Sequence, residues 1–170
     1  MVMEHGSRIY AAVFATAAIF IGNTACAQSS SLVAARSESK MMQHAKGTFE
    51  VKVIPQENKT GDDTLGHLLL EKQLHGDLQG TSRGQMLSAQ NAEPGSAGYV
   101  AIERVTGTLH GRSGSFVLQH VGHMGRNQMQ ITVSVLPDSG TGELQGLNGT
   151  LRIIVAAGKH SYEFDYSLER

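Results

Sequence analysis

The chain has 170 residues, a formal net charge of −1, no tryptophan and one cysteine. A charge this close to zero, without a basic cluster, excludes the row of phosphate contacts that nucleic-acid binding needs. The low aromatic content of 5% likewise disfavours base or sugar stacking as a mode of recognition.

The first 27 residues have the pattern of a secretory signal peptide. An apolar run of about 13 residues, 9–21, follows a positive charge, and the small residues Ala25 and Ala27 precede the predicted cleavage point. The run is well short of the roughly 20 residues that a helix needs to cross a bilayer, so no membrane span is predicted. Cys26 leaves one alternative, a signal in which this cysteine becomes lipidated. We expect a periplasmic or secreted protein cleaved after Ala27, or alternatively a lipoprotein anchored at Cys26.

Residues 28–46 are Ser-rich and without a strong period, and they are predicted to form a flexible tether. The remainder, 47–170, is about 124 residues, the length of one domain with a sizeable core. After cleavage at Ala27 the mature chain has no cysteine. A disulfide scaffold, a thiol nucleophile and a thiolate metal site are then all excluded.

Period-two alternation predicts that the domain is built of strands. Apolar residues at 129, 131, 133 and 135 alternate with polar ones, and Tyr162, Phe164, Tyr166 and Leu168 do the same at the C-terminus. Such runs are typical of half-buried antiparallel strands. We place strands at 47–55, 64–75, 80–91, 97–106, 114–123, 127–137, 143–156 and 159–168. An even count, hairpin connections and no helical pattern favour an all-β fold, an antiparallel up-and-down β-barrel of about eight strands.

A glycine phrase, G-x-L-x-G-x-x-G, occurs at 107–114 and 142–149, with a loosened copy at 76–84. Glycines in strands mark the places where a closed sheet bends or where two backbones approach closely. The phrase therefore predicts architecture and not chemistry. The structural glycines of the two full copies are Gly107, Gly111, Gly114, Gly142, Gly146 and Gly149.

Several predicted strands are apolar on both faces, at 68–70, 100–102, 116–118 and 151–154. A barrel has only one inside, so apolar side chains that point outward on neighbouring strands suggest a surface for a partner. We expect a homo-oligomer from this pattern. The alternative is that the tether or a loop covers these side chains.

The stretches Tyr99-Val-Ala-Ile-Glu103-Arg104-Val-Thr-Gly107, 111–120 and 140–149 resemble a bacterial family of uncharacterised domains. That family is grouped by fold with the allene oxide cyclase and dirigent barrels, and residues 47–51 and 162–168 also fit it. The resemblance implies a barrel that binds a hydrophobic molecule, or that steers a reactive intermediate held inside it. No catalytic motif of those relatives matches residue by residue, so their chemistry is only a fold-level analogy.

Glu103 and Arg104 are adjacent on a predicted strand, so one of them points into the barrel. Pairing across the glycine corner with Glu103 opposite His120 would put a carboxylate and an imidazole on one apolar inner face. Such a pair could accept a proton or anchor a ligand by hydrogen bonds. The alternative is an internal polar pair that fixes strand register. The candidate ligand-binding residues are Glu103, His120, Tyr99, Phe116, Tyr162, Phe164 and Tyr166, and no catalytic residue is assigned.

His67, Glu71 and His75 lie at four-residue steps and superficially suggest a metal site. Four residues of a strand span about 13 Å, whereas zinc ligands lie about 2 Å from the metal, so one straight strand cannot supply them. The sequence also lacks a Gly-x-Ser-x-Gly elbow and a phosphate-binding loop. We expect neither a metal nor a cofactor.

Three functions remain open. The first is an exported barrel that binds a small hydrophobic ligand, and the second is an assembly module with a solid barrel. The third is a cofactor-independent cyclase or isomerase of the allene oxide cyclase kind. The volume of the interior separates them, because ordinary ligand pockets measure roughly 300 Å³ or more.

Overall fold

The computed structural model describes residues 41–91, 95–125 and 128–169. These residues form a closed antiparallel barrel in which each strand pairs with the next in sequence and the last pairs with the first. The strands are β1 (Gln43–Pro55), β2 (Leu65–Gly76), β3 (Leu78–Gln90), β4 (Ala97–Leu109), β5 (Arg112–Gly125), β6 (Gln128–Val135), β7 (Leu147–Ala156) and β8 (Lys159–Leu168). The predicted eight-stranded all-β barrel is confirmed.

Most predicted strand ends differ from the observed ones by one to three residues, and two differences are larger. Strand β1 begins at Gln43, so 43–46 belongs to the barrel and not to a tether; Ala45 is fully buried and pairs with Phe164. The alternation is present there, but an inward alanine is a weak apolar signal. The remaining predicted tether, 28–40, and the signal segment lie outside the described residues.

The second difference lies before β7. Residues 143–146 were expected to begin a strand, but Gly142–Leu144 is a short 3₁₀ helix and β7 starts at Leu147. Gly142 and Gly146 both have positive φ, at 60° and 77°, which turns the chain out of the extended conformation on either side of this helix. Among the described residues, no helix is long and apolar enough to cross a bilayer.

The two ends of the barrel are built differently. At the lower end, where β4 runs into β5, the side chains of Leu78, Leu109, Leu144 and Leu147 are all buried within the core. Leu144 comes from the 3₁₀ helix, which thus contributes an apolar side chain to this end. At the upper end, where β5 runs into β6, inward side chains become progressively more exposed. The barrel is therefore packed below and open above.

Strand register is uniform along β3, β4 and β5. Gly107 lies opposite Gly80 on one side and Gly114 on the other. A Cβ atom at Gly107 would overlap the backbone carbonyl oxygen of Gln79. These glycines allow neighbouring backbones to approach at the lower end more closely than residues with side chains permit.

The seam between β6 and β7 is the weakest in the described sheet. Within the described residues these strands share one ladder pair, Ser134 with Thr150. By contrast, β4 and β5 pair along their whole length, from Ala97–Met124 to Leu109–Arg112. The barrel is closed, but its closure at this seam depends on side-chain packing more than on backbone hydrogen bonds.

Candidate functional site

A buried charged cluster lies inside the barrel, centred on the Glu103 carboxylate. Lys72 Nζ donates to Glu103 Oε1 at 2.7 Å and His120 Nε2 approaches the same oxygen at 2.9 Å. Ser82 Oγ donates to Oε2 at 2.9 Å. Since the side chains of Lys72, Glu103 and His120 are each more than nine-tenths buried, the cluster is shielded from bulk water.

Lys72 belongs to the inward face of β2. It alternates with Leu70 and Leu74, which are both buried, so the two-residue period of the strand places it inside. Gly84 on β3 lies opposite Glu103, and a Cβ atom there would overlap the Glu103 side chain, so the glycine leaves room for Glu103 inside the barrel. The ammonium also lies 5.1 Å from the centre of the Phe49 ring, within the range of a cation–π contact.

The sequence placed Glu103 and His120 on one inner face, and both are inside. Their register differs from the expected one, because Glu103 pairs with Leu118 and His120 pairs with Ala101. A shift of two residues preserves the face, since side chains alternate with a period of two. The carboxylate and the imidazole therefore meet diagonally across β4 and β5.

The Glu103 carboxyl is ionised. Burial raises its pKa, but hydrogen bonding from His120 and the positive charge of Lys72 outweigh burial and bring the pKa to about 2. A general base works best with a pKa near the operating pH. Glu103 is thus poorly suited to accept a proton and well suited to hold its neighbours in place.

Tyr99 lies above this cluster, towards the upper end of the barrel. It lies one inward position above Ala101 on β4, and it is paired with Gly122 of β5. A Cβ atom at Gly122 would overlap the Tyr99 ring, so the ring occupies the space that the glycine leaves. Burial, and secondarily the negative charge of Glu103, raise the pKa of Tyr99, so its hydroxyl remains protonated at neutral pH.

The other four candidate residues lie in the packed core. Phe116 and Phe164 stack with ring centres 5.9 Å apart. The Tyr162 hydroxyl accepts a hydrogen bond from the Leu78 amide at 2.9 Å, and the Tyr166 hydroxyl donates to Gln43 Oε1 at 2.9 Å. The two tyrosine hydroxyls are engaged by the chain itself, and all four side chains are buried in the hydrophobic core.

The void beside the charged cluster has a volume of only about 10 Å³. Phe49, Lys72, Leu118 and Tyr162 are among its lining residues. A space of this size holds about one water molecule at most. A hydrophobic ligand therefore does not fit inside the barrel at this level.

Above Tyr99 several apolar side chains of the inner face are exposed. The inward side chains Val53, Met124, Met129 and Val155 keep between 40% and 67% of their surface accessible. Each lies an even number of residues from buried residues lower on its strand and therefore faces the same side of the sheet, for example Met129 with Val133. We call these four residues, with Tyr99 below them, the open end.

Lys72 and Ser82 are the cluster members that the sequence analysis missed. The sequence does indicate an inward position for Lys72, because Leu70 and Leu74, two residues away on either side, are apolar and face the same side of the strand. Ser82 lies between Gly80 and Gly84, where no apolar neighbour marks the inner face. Only the pairing of β2, β3 and β4 shows that both side chains meet Glu103.

Comparison with known proteins places the chain in a family. A family model described as a protein of unknown function, DUF3224, matches residues 45–166, which is most of the chain. The chain belongs to the DUF3224 family. A crystal structure of a DUF3224 protein of unknown function from Shewanella oneidensis MR-1 is 47% identical, with a TM-score of 0.73, and the match covers 76% of this chain and 99% of that one. No curated protein matches.

The resemblance to a bacterial family of uncharacterised domains is thus confirmed as membership of DUF3224. The grouping of this family with the allene oxide cyclase and dirigent barrels stays a prediction. The DUF3224 match begins at Ala45, within β1, and ends at Tyr166, within β8. It therefore includes the charged cluster and the open end.

Proposed function

We propose that this DUF3224 chain is an exported binding protein that holds a small, mainly hydrophobic molecule at its open end. The observation that carries the proposal is the set of inward apolar side chains, Val53, Met124, Met129 and Val155, that remain exposed above Tyr99. Mouths of β-barrels are common ligand sites, and methionines adapt to ligands of irregular shape.

The charged cluster supports the open end from below. Glu103, held by Lys72, His120 and Ser82, fixes the strands beneath Tyr99. Tyr99 supplies a protonated hydroxyl near the apolar surface, which suits a ligand with one polar group. Phe116, Tyr162, Phe164 and Tyr166 make the packed floor. In this proposal Glu103 and His120 position Tyr99 and do not contact the ligand.

Binding is favoured over catalysis by the state of the carboxylate. A cyclase or isomerase of the expected kind needs either a proton acceptor or an enclosed pocket around its substrate. Glu103 has a pKa of about 2 and already has Lys72, His120 and Ser82 at hydrogen-bonding distance, and the void beside it measures about 10 Å³. Neither requirement is met by the buried cluster.

Export is part of the proposal because 1–27 has the pattern of a cleavable signal, although that segment lies outside the described residues. N-terminal sequencing of the protein purified from its source checks it. A mature chain that begins at Gln28 supports cleavage after Ala27, one that begins at a lipidated Cys26 supports the lipoprotein alternative, and an intact N-terminus contradicts both.

Binding at the open end is tested with N-phenyl-1-naphthylamine, an uncharged apolar fluorophore. We expect saturable fluorescence enhancement with the unaltered protein. Met129→Glu and Met124→Glu should each weaken binding at least tenfold, because a carboxylate in the apolar mouth must lose its hydration when the probe enters.

Ile54→Glu is the matched control, since Ile54 is an exposed apolar residue on the outer face of β1. It should leave binding of the fluorophore unchanged. Equal weakening by Ile54→Glu and Met129→Glu, or no weakening by either mouth substitution, would contradict a site at the open end. Circular dichroism of each variant establishes that the barrel has folded.

A further inference from the structure

The outward side of β3, β4 and β5 carries a groove that the proposed function does not use. Its volume is about 700 Å³, and it is open to solvent. Leu87, Val100 and Ile102 lie in it with 49% to 57% of their surface exposed. Such a contiguous group of exposed large apolar residues marks a site of interaction. We call this the outer groove.

Two arginines stand side by side at the lower end of the outer groove. Arg83 on β3 is directly opposite Arg104 on β4. Like charges directly opposite each other across a sheet are destabilising. Glu71 lies 3.4 Å from Arg83, and Arg104 Nη1 lies 3.4 Å from Ser115 Oγ, so the neighbouring groups neutralise this pair only in part.

The outer groove is polarised along the strand direction. On β4 the outward positions run from Arg104 through Ile102 to Val100, and on β3 they run from Arg83 through Gln85 to Leu87. Gln119 of β5 lies beside Ile102 on the same face. Four residues of strand span about 13 Å. Positive charge is thus concentrated at one end of the groove, and apolar surface extends away from it over a length similar to that of a medium-length alkyl chain.

We propose that the outer groove binds a single-chain anionic amphiphile, with its carboxylate on Arg83 and Arg104 and its alkyl chain along Ile102, Val100 and Leu87. The planar guanidinium group matches a carboxylate with two parallel hydrogen bonds. Binding would remove the repulsion between the arginines and cover the exposed apolar side chains together. The proposal is independent of the open end, which lies on the inner side of the sheet.

A second copy of the chain fits the outer groove less well. If a two-fold axis lying in the interface and perpendicular to the strands related two copies, the arginines of each would lie on the apolar end of the other and lose their hydration without a partner. If the axis ran parallel to the strands, arginine would face arginine. An amphiphile avoids both arrangements because it carries its own negative charge.

The test uses decanoate, decanol and decyltrimethylammonium below their aggregation concentrations, titrated into the full mature chain by isothermal calorimetry. We expect decanoate to bind at least tenfold more tightly than decanol, and decyltrimethylammonium more weakly still. Arg83→Gln and Arg104→Gln should each weaken decanoate binding about tenfold with little effect on decanol, and raised salt should reduce the preference for decanoate.

Arg152→Gln is the matched control, because Arg152 is an outer-face arginine already paired with Glu163. It should leave decanoate binding unchanged. The titrations are repeated in the Met129→Glu background, in which binding at the open end is weakened, and the effects of Arg83→Gln and Arg104→Gln should persist there. Equal affinity for decanoate and decanol, or loss of the arginine dependence in the Met129→Glu background, would overturn the proposal.

Light scattering of the unaltered protein with and without decanoate tests whether a second copy of the chain occupies the outer groove instead. A dimer that Ile102→Glu dissociates, and that decanoate does not displace, would assign the outer groove to a second copy and would also overturn the proposal. A failure of N-phenyl-1-naphthylamine binding in the earlier experiment would leave this result unaffected, since the two sites have different probes and different variants.

Discussion

At the scale of single residues, the most consequential feature is a charge pair inside a packed barrel. Glu103 and Lys72 are both buried and lie 2.7 Å apart. Removing one partner of such a pair leaves an uncompensated buried charge, whereas removing both leaves none. Substituting both residues together therefore tests the contribution of their contact more directly than substituting either residue alone.

A double-mutant cycle at these residues has a defined outcome. Glu103→Gln and Lys72→Met should each lower the free energy of unfolding by roughly 3–5 kcal/mol. The double variant should be less destabilised than the sum of the two by more than about 1 kcal/mol, because the residues are coupled. Urea unfolding followed by circular dichroism measures all four proteins. Strict additivity would mean that the contact contributes nothing to the fold.

Single residues also show how far sequence reasoning reaches. Glu103 and His120 could be placed inside because alternation along a strand fixes the face of each side chain. Lys72 could have been found by the same rule, since two leucines flank it at the inward parity. Ser82 could not have been found in this way, because the residues two positions away on either side are glycines, which do not indicate which face of the strand is buried.

At the scale of elements, the strands differ in how firmly they are held. The seam between β6 and β7 has one ladder pair among the described residues, while β3, β4 and β5 are paired throughout. Strand β6 was predicted from its alternation, and its existence is confirmed. Its weak pairing with β7 could not be predicted, because register between strands depends on the whole closed sheet.

Hydrogen exchange should report this difference. We expect the backbone amides of β6 at Met129 and Ile131, which point towards β7, to exchange at least tenfold faster than those of β4 at Glu103 and Val105, because few ladder bonds protect β6 on the side of β7. Amide exchange measured by NMR at neutral pH resolves these positions. Equal protection of the two strands would show that the seam is as stable as the rest of the barrel.

At the scale of the whole molecule, the buried carboxylate links folding to acidity. The pKa of Glu103 falls from an ordinary 4.5 to about 2 in the folded barrel. A lowered folded-state pKa stabilises the fold at pH values above the ordinary pKa, and this stabilisation is lost as the pH falls towards the folded-state value. Its size is on the order of 3 kcal/mol, from the difference between the two pKa values.

Acid unfolding should therefore depend on this one residue. The free energy of unfolding of the unaltered protein should fall steeply between pH 5 and pH 2, and in the Lys72→Met, Glu103→Gln double variant it should fall less steeply over the same range. Urea titrations at several pH values supply the slopes. Glu50→Gln, which removes an exposed carboxylate, is the control and should keep the steep fall. Identical slopes for all three proteins would contradict the linkage.

The sequence by itself determined the all-β class, the number of strands and the faces of the alternating residues, because a two-residue period and glycine-rich corners are local properties of a chain. It did not determine whether the barrel is hollow. Phe116, Tyr162, Phe164 and Tyr166 were expected to surround a ligand, and all four side chains lie buried in the hydrophobic core. Only the closed sheet brings side chains from distant strands together, so the filled lumen, the open end and the adjacent arginines of the outer groove were decided by the tertiary structure.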